Sequence, residues 1–411
     1  MKKNHKNYFY ALDIGSKKLT LAVAAVEEAG QLGPVMVETQ ESKGIFKGVV
    51  NDLAALSESI AELFKKIEAK TDRKATKVAL SINGNYIEAH HSVTAIALSD
   101  RGTRSITRRD IERLSAQART LGLDLDDQLL HEYPQGYSVD RHNMTLNPLG
   151  LHGRKFEMDL LLVGAPAGYI DNITKAVEQA GLDVANIVFS GVAAGEAVLT
   201  PEDKEKGVVL VDIGDALTCV LIFKDGVARW LNILSFGGKN LDEIISNYCK
   251  IPLALAGEVK KTSLEIGREI SETEEVMIKV DDDYRSVKKK ELVLAIQPEV
   301  DKFIVLLKSV VFESGVSGMA GAKVVVTGGL SLLEGLLEKM EHDLGLVVKM
   351  GIIKKAGNLP FSQAPAYAAA IGLLHLQRDS YQEMGLRLKA QGTNKIARVI
   401  DYISNLYQDY F

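Results

Sequence analysis

Two cysteines in 411 residues leave little for a disulfide framework or a thiolate metal cage. Cys219 and Cys249 stand far apart without a CxxC or HExxH spacing, and a reducing cytoplasm suits so few thiols. Long apolar runs are also missing. No segment reaches the roughly 18 uninterrupted apolar residues that cross a bilayer, so any membrane contact is expected to be peripheral. The apolar run Tyr8 to Leu12, behind the basic stretch Met1 to Asn7, stops at Asp13, too soon for a signal peptide. There is no surplus of positive charge: 49 Lys and Arg against 54 Asp and Glu give a net −5, without a dominant basic stripe. A duplex nucleic acid would find little electrostatic hold, and no nucleic-acid partner is expected. A Walker A loop is absent, because neither Gly15-Ser16-Lys17-Lys18 nor Gly237-Gly238-Lys239 has the earlier glycine it needs. The Gly315, Gly318, Gly321 series is no dinucleotide fingerprint either.

What is plentiful is apolar content, 46%, enough for two or three domains with their own cores. Three apolar strands each end in a glycine turn: Tyr8 to Ile14, Val208 to Ile213, and Lys323 to Thr327. The first two share the form Asp-Ile-Gly about two hundred residues apart, each followed by a returning strand (Leu19 to Val26; Thr218 to Phe223). This predicts an α/β fold of two duplicated halves. Thr107 to Thr120 has helical spacing with Thr107 as N-cap, and Asn147-Pro148-Leu149-Gly150 leads into an apolar strand, Phe156 to Val163. Residues 86–162 therefore read as an insertion. A second one is expected between Leu241 and about Gly318, around a charged strand-and-turn region at Met277 to Val287. A last helix from Ala364 to His375 precedes a polar linker, Gln377 to Thr393.

An aspartate at a strand end, followed by a glycine turn, has a chemical use. The turn brings backbone N–H groups against phosphate oxygens, and the carboxylate can orient a magnesium-bound water. Two such hairpins facing each other would clamp a triphosphate, and Thr327-Gly328-Gly329 would let a nucleoside approach the backbone at a helix start.

These motifs resemble those of the actin, sugar-kinase and heat-shock-chaperone ATPase superfamily, and within it the FtsA cell-division family. Asp13-Ile-Gly-Ser-Lys-Lys-Leu, Val211-Asp212-Ile-Gly214 and Val326-Thr-Gly-Gly329 are similar to its two phosphate motifs and its adenosine motif. Stretches without a general nucleotide role, among them Gly44-Ile-Phe-Lys-Gly48, Ser81-Ile-Asn-Gly84, Tyr133-Pro-Gln-Gly-Tyr137 and Asn147-Pro-Leu-Gly-Leu-His-Gly153, resemble FtsA segments in matching order. The resemblance covers nearly the whole chain and is weakest between about 262 and 320.

The fold it implies is the actin-like ATPase fold, with two duplicated α/β halves around a nucleotide cleft, each half carrying an inserted subdomain. The first half would be 1–85 with 163–201, its insertion 86–162; the second 202–236 with 321–376, its insertion 237–320; then the linker 377–393 and a helix, 394–411. ATP and Mg2+ are the implied cofactors. Asp13 and Asp212 would flank the metal through water. Gly15, Ser16, Lys17 and Lys18, with Gly214, Asp215, Ala216, Thr218 and Gly238, would line the phosphates; Lys260, Gly328, Gly329 and Leu330 would border the nucleoside. Lys260 could equally sit on a solvated helix face, since the glutamate usual three positions earlier is here Gly257. The family's Asp-Ile-Gly-Gly-Gly-Thr is here Asp212-Ile-Gly-Asp-Ala-Leu217, followed by Thr218 and Cys219. Asp215 either points away from a terminal phosphate, lies behind a metal, or sits in a left-handed turn, and hydrolysis is expected to be feeble or absent.

From Asn394, Ile396, Val399, Ile400, Ile403, Leu406, Tyr407, Tyr410 and Phe411 fall on one helical face. Such a helix can dock on its own protein or lie in a membrane interface. The resemblance favours the membrane, with several tails in a polymer strengthening a reversible hold. It also implies self-association into actin-like filaments, binding of the FtsZ C-terminal peptide through the second insertion, and contacts with later division proteins through 86–162. A pilus-assembly adaptor of the PilM type and a small-molecule kinase are the alternatives. A chaperone-like ATPase is less favoured, since no peptide-binding domain follows the second half.

Overall fold

Strands β1 (Tyr8–Ile14), β2 (Lys18–Ala25) and β3 (Met36–Glu41) form an antiparallel meander in which Asp13 lies opposite Thr20 and Ile14 opposite Leu19. β2 is buried along nearly its whole length, which is why it reads as a continuous apolar run and not as an alternation. A short hairpin, β4 (Ile45–Phe46) with β5 (Val49–Val50), leads into α1 (Leu53–Thr71), whose first turn is capped by the Asp52 carboxylate. β6 (Lys77–Ile82) then pairs parallel with β1. The computed structural model describes residues 7–390 apart from 28–29, 100–101, 142–143, 268, 281–282, 316–321, 354–358 and 361, with backbone alone for 384–390.

The first insertion holds β7 (Glu88–Ala97), β8 (Arg104–Ser105), α2 (Arg108–Gly122), β9 (Asp127–Val139), β10 (His152–Gly153) and β11 (Lys155–Pro166). β11 is the middle strand of an antiparallel sheet ordered β7, β11, β9, and α2 packs Leu114 and Ala118 into its core with Phe156 and Leu160. Thr107 is the N-cap, as its position predicts, and Asp110 closes the capping box while accepting two bonds from Arg104 at 2.5 and 2.7 Å. The chain returns to the first half through α3 (Ala167–Gln179), β12 (Asp183–Phe189) and α4 (Ser190–Val198).

The second half repeats this plan. α5 (Pro201–Lys206) precedes β13 (Val208–Ile213), β14 (Thr218–Lys224) and β15 (Val227–Leu234). Its insertion comprises α6 (Gly238–Cys249), α7 (Leu253–Ser263), the hairpin β16 (Glu275–Val280) with β17 (Asp283–Lys288), and α8 (Lys289–Glu313). β18 (Lys323–Thr327), α9 (Leu336–Leu344), β19 (Val347–Met350) and α10 (Ala368–Ala390) complete it. The first sheet runs β12-β6-β1-β2-β3 and the second β15-β14-β13-β18-β19. Read from the meander outward, the two orders are the same, and in both the meander is antiparallel and the remaining pairings parallel. The expected duplication is thus a matter of topology as well as motif.

Two differences from the sequence reading concern α10. The residues Ala364–Tyr367 form a 3-10 turn, and the α-helix continues to Ala390, so residues 377–390, expected as linker, are helical. The Tyr381 ring packs edge-on against Phe9 at 5.8 Å and Gln382 donates to the Gly30 carbonyl at 3.3 Å, partners that a local reading of a polar stretch does not contain. The helix also shares the core of the first half, against β1 and β2, although 321–376 was assigned to the second. Conversely α4, which ends the first half, meets β13 and β14 of the second. The two helices cross so closely that a Cβ on Gly372 would stand 1.7 Å from the Ala193 carbonyl oxygen. Residues 391–411, with all eight apolar positions of the expected membrane helix, lie outside the described residues. Among the described residues no helix is long and apolar enough to cross a membrane.

Candidate functional site

The two crossing helices lie between the halves, and the first turns of both meanders face a common cavity of about 610 Å³. The turns are built alike. Gly15 donates its N–H to the Lys18 carbonyl at 3.2 Å, and Gly214 donates to the Leu217 carbonyl at 2.9 Å. A Cβ would lie 2.9 Å from that oxygen at Gly15 and 3.0 Å at Gly214, so both turns leave little room for a side chain. Neither turn glycine has a positive φ, and Asp215 is not left-handed either, which removes that account of the substitution.

Asp13, Gly15, Ser16, Lys17, Lys18, Asp212, Gly214, Asp215, Ala216, Gly238, Lys260, Gly328, Gly329 and Leu330 all line the cavity, as expected from the sequence. Thr218 does not. It is the first residue of β14, fully buried, and its hydroxyl donates to the Phe236 carbonyl at 2.9 Å, which makes it a structural partner of the following segment. Gly328 has φ +88, and a Cβ there would meet the Ile213 carbonyl oxygen at 2.4 Å and Asp212 Oδ1 at 2.5 Å. Gly329, next to it, faces open space and begins the helix expected there, a short 3-10 one.

The charged groups are tightly held. The Ser81 hydroxyl donates to Asp13 at 2.6 Å, yet burial pushes the Asp13 carboxyl above the ordinary carboxylate range. Asp212 is pushed up to about 7, by burial first and then by the charge of Asp13. Burial lowers Lys18 to about 8; its ammonium donates to the Ala366 carbonyl at 3.1 Å and lies 4.1 Å from the centre of the Tyr367 ring. Lys260 is buried, so the solvated-face alternative does not hold. It pairs with Asp242 at 2.6 Å and donates to the Gly238 carbonyl at 2.5 Å. Asp215 faces Lys17 at 3.5 Å, the partner its sequence position did not reveal.

The sequence reading also missed Asp242 and Asn83. Asp242 stands one helical turn after Gly238, a spacing that could have marked it, and it joins Lys17 and Lys260. Asn83 lines the cavity and donates to the Cys219 sulfur at 2.9 Å, while its Oδ1 is a buried acceptor with no partner. The Cys219 thiol is pushed well up by burial and then by Asp212, so it stays protonated and offers neither a base nor a thiolate ligand. Among the described residues no group of three His, Cys, Asp or Glu side chains could cage a metal. Two partly buried carboxylates raised in pKa and an unmatched amide oxygen suit a hydrated divalent cation carried on phosphate, which needs only one or two carboxylates. The lysines and the open wall at Gly329 suit the rest of a nucleotide.

Duplicated five-stranded sheets, crossing helices and one cavity between paired turns define the actin-like ATPase fold. A solved PilM–PilN type IV pilus biogenesis complex shares it with a TM-score of 0.63 and 18% identity, over 91% of this chain and 99% of that one. MreB5 of Spiroplasma citri, solved with AMPPNP, aligns with a TM-score of 0.50 and 12% identity, over 95% of this chain and 100% of that one. These likenesses concern the fold alone. The family model for the cell division protein FtsA matches residues 209–372, and that for the SHS2 domain inserted in FtsA matches 84–164. The cell division protein FtsA of Pseudomonas aeruginosa is 29% identical over 93% of this chain and 92% of its own. The chain belongs to the FtsA family of cell division proteins.

Proposed function

We propose that this chain binds ATP with Mg2+ between its halves and serves cell division as a self-assembling adaptor that links FtsZ to the cytoplasmic face of the membrane. The observation that carries the reading is the pair of equivalent turns, Gly15 to Lys18 and Gly214 to Leu217, on opposite walls of one cavity. MreB5, of the same fold, was solved with AMPPNP, which supports a nucleotide in this place. Asp13 and Asp212 would hold the cation through water, and Lys18 would balance phosphate charge. When bound, the cation would screen the two carboxylates from each other and from phosphate. Hydrolysis is weak or absent in this reading, because Cys219, at a position that is often acidic in the superfamily this chain resembles, is a buried neutral thiol and cannot take a proton from water. The nucleotide's role is then conformational, bridging the two turns across the cleft.

FtsZ binding through the second insertion, later division proteins on the first and a lipid-inserting helix at 394–411 complete the proposal. The test is co-sedimentation of the full chain with vesicles of mixed zwitterionic and anionic lipid, with and without MgATP and FtsZ. The chain cut after Thr393 should stay in the supernatant, and FtsZ should pellet only with the full chain. Undiminished pelleting of the shortened chain would remove the tail from the proposal. A phosphate-release rate above about one per second would refute weak hydrolysis.

A further inference from the structure

At the end of the cavity where the two turns face each other, four side chains form one ion cluster. Lys17, from the first turn, donates to Asp242 Oδ2 at 3.0 Å and lies 3.5 Å from Asp215 Oδ1 in the second turn. Asp242 Oδ1 is 2.6 Å from Lys260. The Asp242 and Lys260 side chains are 2% and 7% exposed, while those of Lys17 and Asp215 are 44% and 19% exposed. The first pair is therefore interior, and the second forms the cavity wall. Gly257 leaves room for this arrangement, since a Cβ there would lie 3.1 Å from both Lys17 Nζ and Asp242 Oδ2. The formal charges on and behind this wall balance: Lys17, Lys18, Lys260 and Lys261 against Asp13, Asp212, Asp215 and Asp242.

We propose that Lys17 and Asp215 form a nucleotide-specificity pair. The Asp215 carboxylate, held by Lys17, acts as a built-in anion at the phosphate end, so the cleft holds a nucleoside diphosphate at least as firmly as a triphosphate. This rests on the nucleotide reading above. A terminal phosphate between the turns would meet a like charge on Asp215. To reach that phosphate, Lys17 would have to leave Asp242, removing one cation from a carboxylate that is almost wholly out of water. A diphosphate that ends short of Asp215 disturbs neither contact. The specificity follows from removing the net attraction that normally rewards the last phosphate.

The experiment is calorimetric titration of the full-length chain with MgADP and with MgATP, for the wild type, D215N, D215G and K17A. The wild type should bind MgADP as tightly as MgATP or more so. D215N, isosteric and uncharged, should shift the affinity ratio at least tenfold toward MgATP, and D215G should do the same. K17A should shift it at least tenfold the other way, because Asp215 is then unpaired. Circular dichroism establishes that each variant is folded. MgADP binding with a ratio moved less than twofold in both Asp215 variants overturns the specificity pair and leaves the nucleotide reading standing. No binding of either nucleotide to any of the chains overturns both.

Discussion

At the scale of single residues, the cleft depends on backbone space and on partly buried carboxylates. Gly328, between the second turn and the nucleoside wall, is one such case. G328A places a methyl group 2.4 Å from a carbonyl in a left-handed conformation, and should lower stability by about 1–3 kcal/mol in urea unfolding and abolish nucleotide binding. Asp212 makes a pH prediction of definite sign. Its folded pKa of about 7 lies above the ordinary carboxylate value of about 3.9, so the folded chain holds this proton more tightly than the unfolded one. The stabilisation from that proton is complete below about pH 4 and is lost as pH rises through 7, on the order of a few kcal/mol. Nucleotide-free urea unfolding at a series of pH values should show this fall in the wild type, and D212N should flatten it. An unaltered slope in D212N would place the titration elsewhere. Asp13, Gly15, Asp212 and Gly214 were legible in the sequence because carboxylate and turn are neighbours along the chain. Asp242 was not, because its partners Lys17 and Lys260 reach it from other elements and only folding brings them within 3.0 Å.

At the scale of elements, the three strands that end in glycine turns could be read residue by residue, since a buried strand ending in such a turn carries its signal locally. The helix α10 could not. Its far half pairs with Phe9 and Gly30, more than three hundred residues earlier, and a polar stretch shows no trace of partners at that separation. Thr218 was misplaced for a related reason: the motif put it in the phosphate loop, but as the first residue of β14 its side chain turns into the core. The crossing of α4 and α10 supplies the element-scale prediction. G372A sets a methyl group against the Ala193 carbonyl, forces the helices apart and should cost about 1–3 kcal/mol in thermal or urea unfolding. Because each helix also covers the other half's sheet, the same variant should weaken MgATP binding although Gly372 is not among the cavity-lining residues. Unchanged affinity would show that the helix crossing does not set the distance between the turns.

At the scale of the whole molecule, the halves are joined by the crossing helices, by β7 and β9 packing on β15, and by contacts across the cleft, among them Lys17 with Asp242 and Lys239 lying 4.1 Å from the Phe46 ring centre. A ligand gripped by both turns should therefore stabilise the chain as one body. MgATP at a hundred times its dissociation constant should add about 2.7 kcal/mol, read as an upward shift of a single thermal transition. Two transitions, of which only one responds, would mean that the ligand touches one half alone.

The amino-acid sequence by itself determined the duplicated α/β plan, the two insertions and the glycine turns, because each of these is written in residues close together along the chain. Tertiary structure alone decided that the turns share a cavity, that Asp215 is paired with Lys17, that Lys260 is buried and that α10 crosses to the first half. Charge pairing and helix crossing depend on distances through space between segments hundreds of residues apart, and no local pattern carries those distances.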